Sequence, residues 1–483
     1  MIVASFFSKP SKQRRADSWL ALIAAVCALW MLWLNRDSFT YGYFGEDYHW
    51  LVRTRSTLWE AMRPTAGDFY RPFAVNIPYL LAGRLPHGLL LWKIFGFALT
   101  FAGYVLLWRW LERLSGRRVL GFIFATFWLF HPAHPYGLLY PNAFDYVLMP
   151  VLLISLLLAI ECGRQRLALI LLAVSCFSKE IAFAFPLLFL LPAWNKKKFA
   201  FPREFFFACA IVAVALAVHH GLATEKAGGY LLASSPREIW ENFLYLGGRT
   251  FLRPYLWNIL GWSSLIAAFL ASASPKRMPG ALLLLMAVFF LPLCLLHDVQ
   301  TENLGSLFWI FPLGATAALL NGAKFLKKKW QLAPAAAVVF AAQAVTPSGR
   351  QAHDLTAARA AIFSSVLERA RPLLADCGAF DKVVTQGLPL VLGYDREAEF
   401  AVWGLREAYP HLRFFLWKPQ AGYVPDLAEP RKWLWVDRTQ AEGHPTLIFS
   451  RDSEGQLKVE GKNLKNCEGG ALEREALTPP TDT

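Results

Sequence analysis

The stretch LALILLAVSCFSKEIAFAFPLLFLLPAW, Leu167–Trp194, lies between two basic clusters, CGRQR at Cys162–Arg166 and NKKK at Asn195–Lys198. It is apolar at nearly every position outside the FSKE interruption, Phe177–Glu180. A helix needs about 20 apolar residues to cross a bilayer, so two full crossings do not fit. A single crossing fails too, because short Lys/Arg-rich segments mark the cytoplasmic side and they stand at both ends. The spacing predicts two short helical arms meeting at an apex, FSKE, that reaches toward the outer face. Arms this short must pack inside protein, as broken helices do.

The same alternation extends along all 483 residues. Hydrophobic residues make up 55% and charged residues only 17%, against about 25% charged in an ordinary soluble chain. Further basic clusters fall between apolar blocks: SKQRR at Ser11–Arg15, RWLERLSGRR at Arg109–Arg118, SPKR at Ser274–Arg277 and KFLKKK at Lys324–Lys329. The net charge of +14 therefore reads as cytoplasmic loops, and nucleic acid is not expected as a partner. Besides the two arms, spans are predicted at Ser18–Leu34, Gly88–Trp108, Val119–Phe130, Ala143–Ile160, Phe205–His219, Trp257–Ala273, Gly280–Leu296, Gly305–Leu320 and Leu332–Val345. Trp19–Leu34 looks like a signal-peptide core, but no small-residue cleavage site follows, so it reads as a first membrane helix.

The expected fold is an all-α polytopic membrane domain of about 11 transmembrane helices followed by a small α/β extracytoplasmic domain. The membrane domain covers 1–345, with outer loops at 35–86 and 221–255. The α/β domain covers 346–470, and 471–483 is expected to be disordered. In the α/β part Leu355–Leu374 has helical spacing. KVVTQGLPLVLGY, RFFLWK, KWLWVD and TLIFSRDSEGQLKVEG read as strands, the last a hairpin turning at Ser453–Gly455. The expected location is a bacterial inner membrane, N-terminus cytoplasmic and C-terminal domain periplasmic. Of the seven cysteines, Cys27, Cys162, Cys176, Cys209 and Cys294 lie in or beside apolar blocks as packing residues. No metal-type Cys/His spacing is present.

Residues fit for chemistry gather on the outer side of this topology. YFGEDYHWL, Tyr43–Leu51, sets Glu46 and Asp47 side by side among aromatics, with His49 close behind. FYRPF follows, with Tyr70 and Arg71, then Asp145 near a helix start and Lys179 and Glu180 at the apex. Arg249 and Arg253 lie in the second outer loop. Each has a bland alternative: acids cap helix starts, and lysines snorkel to the interface. Their convergence on one face favours function, since an ammonium between apolar arms is otherwise costly. Glu180 is expected to pair with Lys179. His131 and His134 read as structural turn residues, and His219 and His220 as interfacial ones.

The order of an acidic pair after the first helix, YRP, HPAHPYGLLYPNAFDYV (His131–Val147) and SCFSKEIAF (Ser175–Phe183) resembles the GT-C superfamily of membrane glycosyltransferases. The likeness is to the protein O-mannosyltransferase type, including the branch with tetratricopeptide repeats. It covers roughly Tyr41–Leu191, and TENLGSLFWIFPLG at Thr301–Gly314 looks like a later family segment. This chain has Glu-Asp where those proteins have Asp-Asp or Asp-Glu, and it lacks the repeats.

The resemblance implies a polyprenyl-phosphate sugar donor and an extracytoplasmic acceptor, which is a glycolipid, a surface polysaccharide or a protein. Glu46 or Asp47 would be the catalytic base. Lys179, with Arg71 second, would stabilise the leaving phosphate, while Arg249 and Arg253 could meet the same group. Asp145, Glu180, Tyr70 and His49 complete the expected substrate-binding set. Some members use a divalent metal; no ligand set in this sequence requires one, which leaves that cofactor open. The rival reading is a transporter or flippase for a lipid-linked saccharide. That class places its charges near the bilayer midplane between repeat-related halves.

Overall fold

A computed structural model of the chain describes residues 11–40, 51, 58–62, 70–130, 138, 144–192 and 201–222. Beyond these it describes 235–237, 239, 282, 310–319, 334, 337–339, 361, 364–375, 382–386, 405, 413–417, 435–436, 446–451 and 457–462. The described part is mostly helical. The helices are α1 (Ser11–Leu34), α2 (Leu58–Met62), α3 (Ile77–Arg84), α4 (Gly88–Ser115), α5 (Arg118–Leu129), α6 (Asp145–Glu161), α7 (Gln165–Cys176), α8 (Arg203–Leu222) and α9 (Ile310–Leu319). The expected span at Trp257–Ala273 lies outside the described residues, as does Gly280–Leu296 apart from residue 282.

Among the described residues α4 alone is long and apolar enough to cross a membrane, by length and composition. Its 28 residues rise about 42 Å. It ends on Gly116, whose φ of 65° is the left-handed stop that glycine adopts without a Cβ clash. The chain reverses through Arg117 into α5, and the hairpin is pinned by polar atoms inside an aromatic cluster. Trp108 Nε1 donates to the Arg118 carbonyl at 2.9 Å. The Tyr104 and Thr126 hydroxyls bond at 3.0 Å, and Phe122 packs edge-on against both Tyr104 and Trp108. Gly121 makes this crossing close: a Cβ there would lie 2.7 Å from the Trp108 carbonyl oxygen and from the Glu112 nitrogen.

Helix α6 is the centre of the assembly. It packs against α4, α7 and the π-helical turn Pro72–Asn76, and eleven of its residues are buried. Helix α8 packs on α7 and on the segment after it, and α9 packs on α4 and α5. The two predicted arms and the turn between them are present: α7 ends at Cys176, the chain turns through 177–179, and a second helix runs over Glu180–Leu190. That second arm is a 3₁₀-helix rather than an α-helix. In this form each residue rises farther along the axis than in an α-helix. The 11 residues thereby reach about 22 Å instead of about 16 Å. Within the segment expected as an outer loop at 35–86, the described residues include short helical elements. These are the 3₁₀ turn Arg36–Thr40, α2, the Pro72–Asn76 turn and α3.

Five strands, β1 (Lys382–Gln386), β2 (Arg413–Trp417), β3 (Trp435–Val436), β4 (Thr446–Arg451) and β5 (Leu457–Lys462), form one sheet in the order β3-β2-β1-β4-β5. All fall in the segments read as strands. β1 through β4 pair in parallel and β5 runs antiparallel to β4. Parallel neighbours need crossover connections, which fits the long intervals from β1 to β2 and from β2 to β3. The β4–β5 pairing is that of the expected hairpin; its turn lies outside the described residues.

The α4–α5 crossing makes a direct prediction. Gly121→Val drives a side chain into backbone atoms, at a cost of about 1–3 kcal/mol, and lowers the thermal unfolding midpoint of the purified protein. Gly221→Ala, where a Cβ meets nothing within 4 Å, leaves the midpoint unchanged. Equal effects of the two changes would contradict the packing described.

Candidate functional site

Three separate pieces of chain bring charged side chains together where α6 begins and α7 ends. Arg71 precedes Pro72, which holds it outside the α region at φ −120°, and its carbonyl accepts the Val75 N–H at 2.9 Å. Asp145 is the first residue of α6, where the positive end of the helix dipole favours an acid. Lys179 sits in the turn after α7 with extended backbone, and Glu180 opens the 3₁₀-helix.

The four groups form a row of alternating sign. Arg71 Nε donates to Glu180 Oε1 at 2.5 Å. Arg71 also approaches Asp145 Oδ2 at 4.0 Å, and Lys179 Nζ donates to that same Oδ2. The sequence had suggested that Glu180 pairs with its neighbour Lys179; the structure corrects this. Extended backbone sends consecutive side chains to opposite sides, so Lys179 turns to Asp145 and Glu180 to Arg71. The Lys179 ammonium also lies 4.5 Å from the centre of the Tyr146 ring, a cation–π contact that adds to its hold.

Burial sets the strength of these interactions. The Asp145 side chain is 3% exposed and Lys179 is 12% exposed, while Arg71 and Glu180 are 22% and 20% exposed. The inner end of the row is therefore closed and the outer end partly open. Asp145 Oδ1 is buried without a hydrogen-bond partner among the described residues. Such an atom is an uncommon liability in a folded protein, and here it leaves acceptor capacity for a hydroxyl. Burial raises the Tyr70 phenol above its ordinary value, so it stays protonated. The row as a whole has no net charge, with two cations balancing two carboxylates.

Four of the ten residues expected at the site thus meet, and Tyr70 stands next to them in the chain. Glu46, Asp47, His49, Arg249 and Arg253 lie outside the described residues, as do His131 and His134. His219 is buried. It accepts the Tyr70 backbone N–H on Nδ1 at 3.1 Å and bonds the Cys176 carbonyl through Nε2 at 3.2 Å. A histidine at the end of an apolar helix gives no sequence signal of such a role, because both partners are backbone atoms. Among the described residues no three His, Cys, Asp or Glu side chains group to hold a metal ion.

Removing one member of a buried pair is costly because the other is left unpaired, by about 3–5 kcal/mol. Lys179→Met should lower unfolding stability by about that amount, and adding Asp145→Leu should restore most of it. Additive losses in the double variant would mean that the two side chains do not interact. In comparison with known proteins the chain matches no family model and no curated protein.

Proposed function

We propose that this chain is a polytopic membrane glycosyltransferase of GT-C type, a hexosyl- or pentosyltransferase of the bacterial inner membrane. It moves a sugar from a polyprenyl-phosphate donor to an extracytoplasmic glycolipid, polysaccharide or protein. The observation that carries this reading is the row Glu180–Arg71–Asp145–Lys179, buried at the ends of apolar helices. Its members come from the YRP, FDY and SKE segments on which the family resemblance rests. The membrane setting is supported by α1, which is apolar on both sides. Leu20, Ala24, Cys27 and Met31 are buried, yet Trp19 (59%), Val26 (56%) and Leu29 (65%) stay exposed at helical spacing. Water disfavours such a face, and lipid tails suit it.

In the proposed reaction the acceptor hydroxyl attacks the anomeric carbon of the donor and the bond from that carbon to the phosphate oxygen breaks. The phosphate leaves with the electron pair, the hydroxyl proton passes to the carboxylate of Glu46 or Asp47, and the anomeric configuration inverts. Cations matter most at the leaving oxygen, where negative charge grows. Lys179 and Arg71 are both held by carboxylates, so donor binding exchanges a carboxylate partner for the phosphate. That exchange frees Asp145 to accept hydroxyls of the sugar or acceptor.

Purified protein in detergent is expected to transfer labelled sugar from a synthetic polyprenyl-phosphate donor. Lys179→Ala, and separately the double change Glu46→Gln with Asp47→Asn, should each reduce turnover about 100-fold or more. Undiminished turnover in the double variant would remove the assigned base. Movement of a lipid-linked saccharide across vesicles without transfer would instead favour a flippase.

A further inference from the structure

Where two polypeptide segments meet end to end, each leaves backbone groups without partners. The carbonyls in the last turn of α7 have no following helical N–H, and Cys176 is among them. On the other segment, Tyr70 precedes the Pro72–Asn76 turn, so its N–H has no acceptor within that turn. One side chain answers both. His219, near the end of α8, accepts the Tyr70 N–H on Nδ1 at 3.1 Å and meets the Cys176 carbonyl at 3.2 Å through Nε2. Because a carbonyl only accepts, Nε2 must carry the proton; because an N–H only donates, Nδ1 must be bare. The ring is thus held as one neutral tautomer.

Packing fixes the imidazole as firmly as its bonds do. It stacks on Phe177 with ring centres 5.6 Å apart, and it meets Phe183 at 5.5 Å and Tyr70 at 6.4 Å edge-on. A longer backbone bond, from the Phe73 N–H to the Phe177 carbonyl at 3.4 Å, also joins these two segments. Tyr70 is followed directly by Arg71, and Cys176 stands three residues before Lys179 and four before Glu180. A shift of the first segment against the second would therefore separate Arg71 from Glu180 and from Asp145.

We infer that His219 is a positioning residue: it clips the Arg71 segment to the apex and so sets the spacing of the charged row against the donor phosphate. This rests on the glycosyl-transfer reading for its catalytic consequence, while the clip itself is a structural statement. Arg71 acts most strongly where charge grows on the leaving oxygen, so misplacing it should lower kcat more than it raises the donor KM. A displacement of about 1 Å at such a group costs up to about 100-fold in rate.

The test compares the full-length wild type with His219→Phe and His219→Asn. Phe keeps the ring contacts and loses both bonds; Asn loses the ring but keeps an amide that can still accept the Tyr70 N–H. Two readouts are taken: amide hydrogen exchange in peptides spanning Tyr70, and sugar transfer from the polyprenyl-phosphate donor. His219→Phe should speed exchange at this segment and lower kcat about 10- to 100-fold with little change in donor KM. His219→Asn should recover part of both. Exchange unchanged in His219→Phe would overturn the clip, and faster exchange with wild-type kcat would overturn its positioning role. Faster exchange with no transfer even by the wild type would uphold the clip and sink the glycosyltransferase reading instead.

Discussion

The arrangement depends on the Lys179–Asp145 ion pair, buried between the start of α6 and the end of α7. An ammonium and a carboxylate each lose several kcal/mol of hydration on leaving water. Neither position is tolerable alone, so each fixes where the other's helix can end. Arg71 extends the pair into a row by reaching both Asp145 and Glu180. Stability alone does not account for this, because well-packed apolar residues commonly serve as well as a buried ion pair. The proposed group transfer gives such a row a use, with a phosphate and a hydroxyl taking the place of its partners.

The surrounding helices serve that row by ending where they do. Pro72 holds Arg71 outside the α region at the head of its turn. The second arm takes a 3₁₀ form that reaches farther per residue. Gly121 lets α4 and α5 approach closely, and a Cβ on Gly314 of α9 would lie 2.3 Å from the Trp110 ring of α4. Small residues at such crossings let helix backbones approach closely. His219 supplies the remaining need, a partner for backbone groups that the helix ends leave over.

Much of this was legible in the residues themselves, and the unread part has physical causes. The FSKE interruption announced the apex, because four residues with a Lys-Glu pair break an apolar run between like-charged flanks. The strands were legible in short runs such as RFFLW and TLIFS, rich in aromatic and aliphatic residues. The parallel order of the sheet was not, since register depends on contacts distant in sequence. The pairing inside the site was misread as Lys179 with Glu180, because adjacency in sequence says nothing about backbone direction until φ and ψ are known. His219 was missed because its partners are a peptide N–H and a peptide carbonyl, which every residue carries.

The most direct measurement is a structure of the protein bound to a polyprenyl-phosphate donor, read as the distance from the phosphate oxygens to Lys179 Nζ. The account predicts hydrogen-bond contact there, with Asp145 released from Lys179 and turned toward the sugar. A phosphate seated instead among Arg113, Arg117 and Arg164 at the opposite end of the helices, with the Asp145–Lys179 pair still closed, would contradict it.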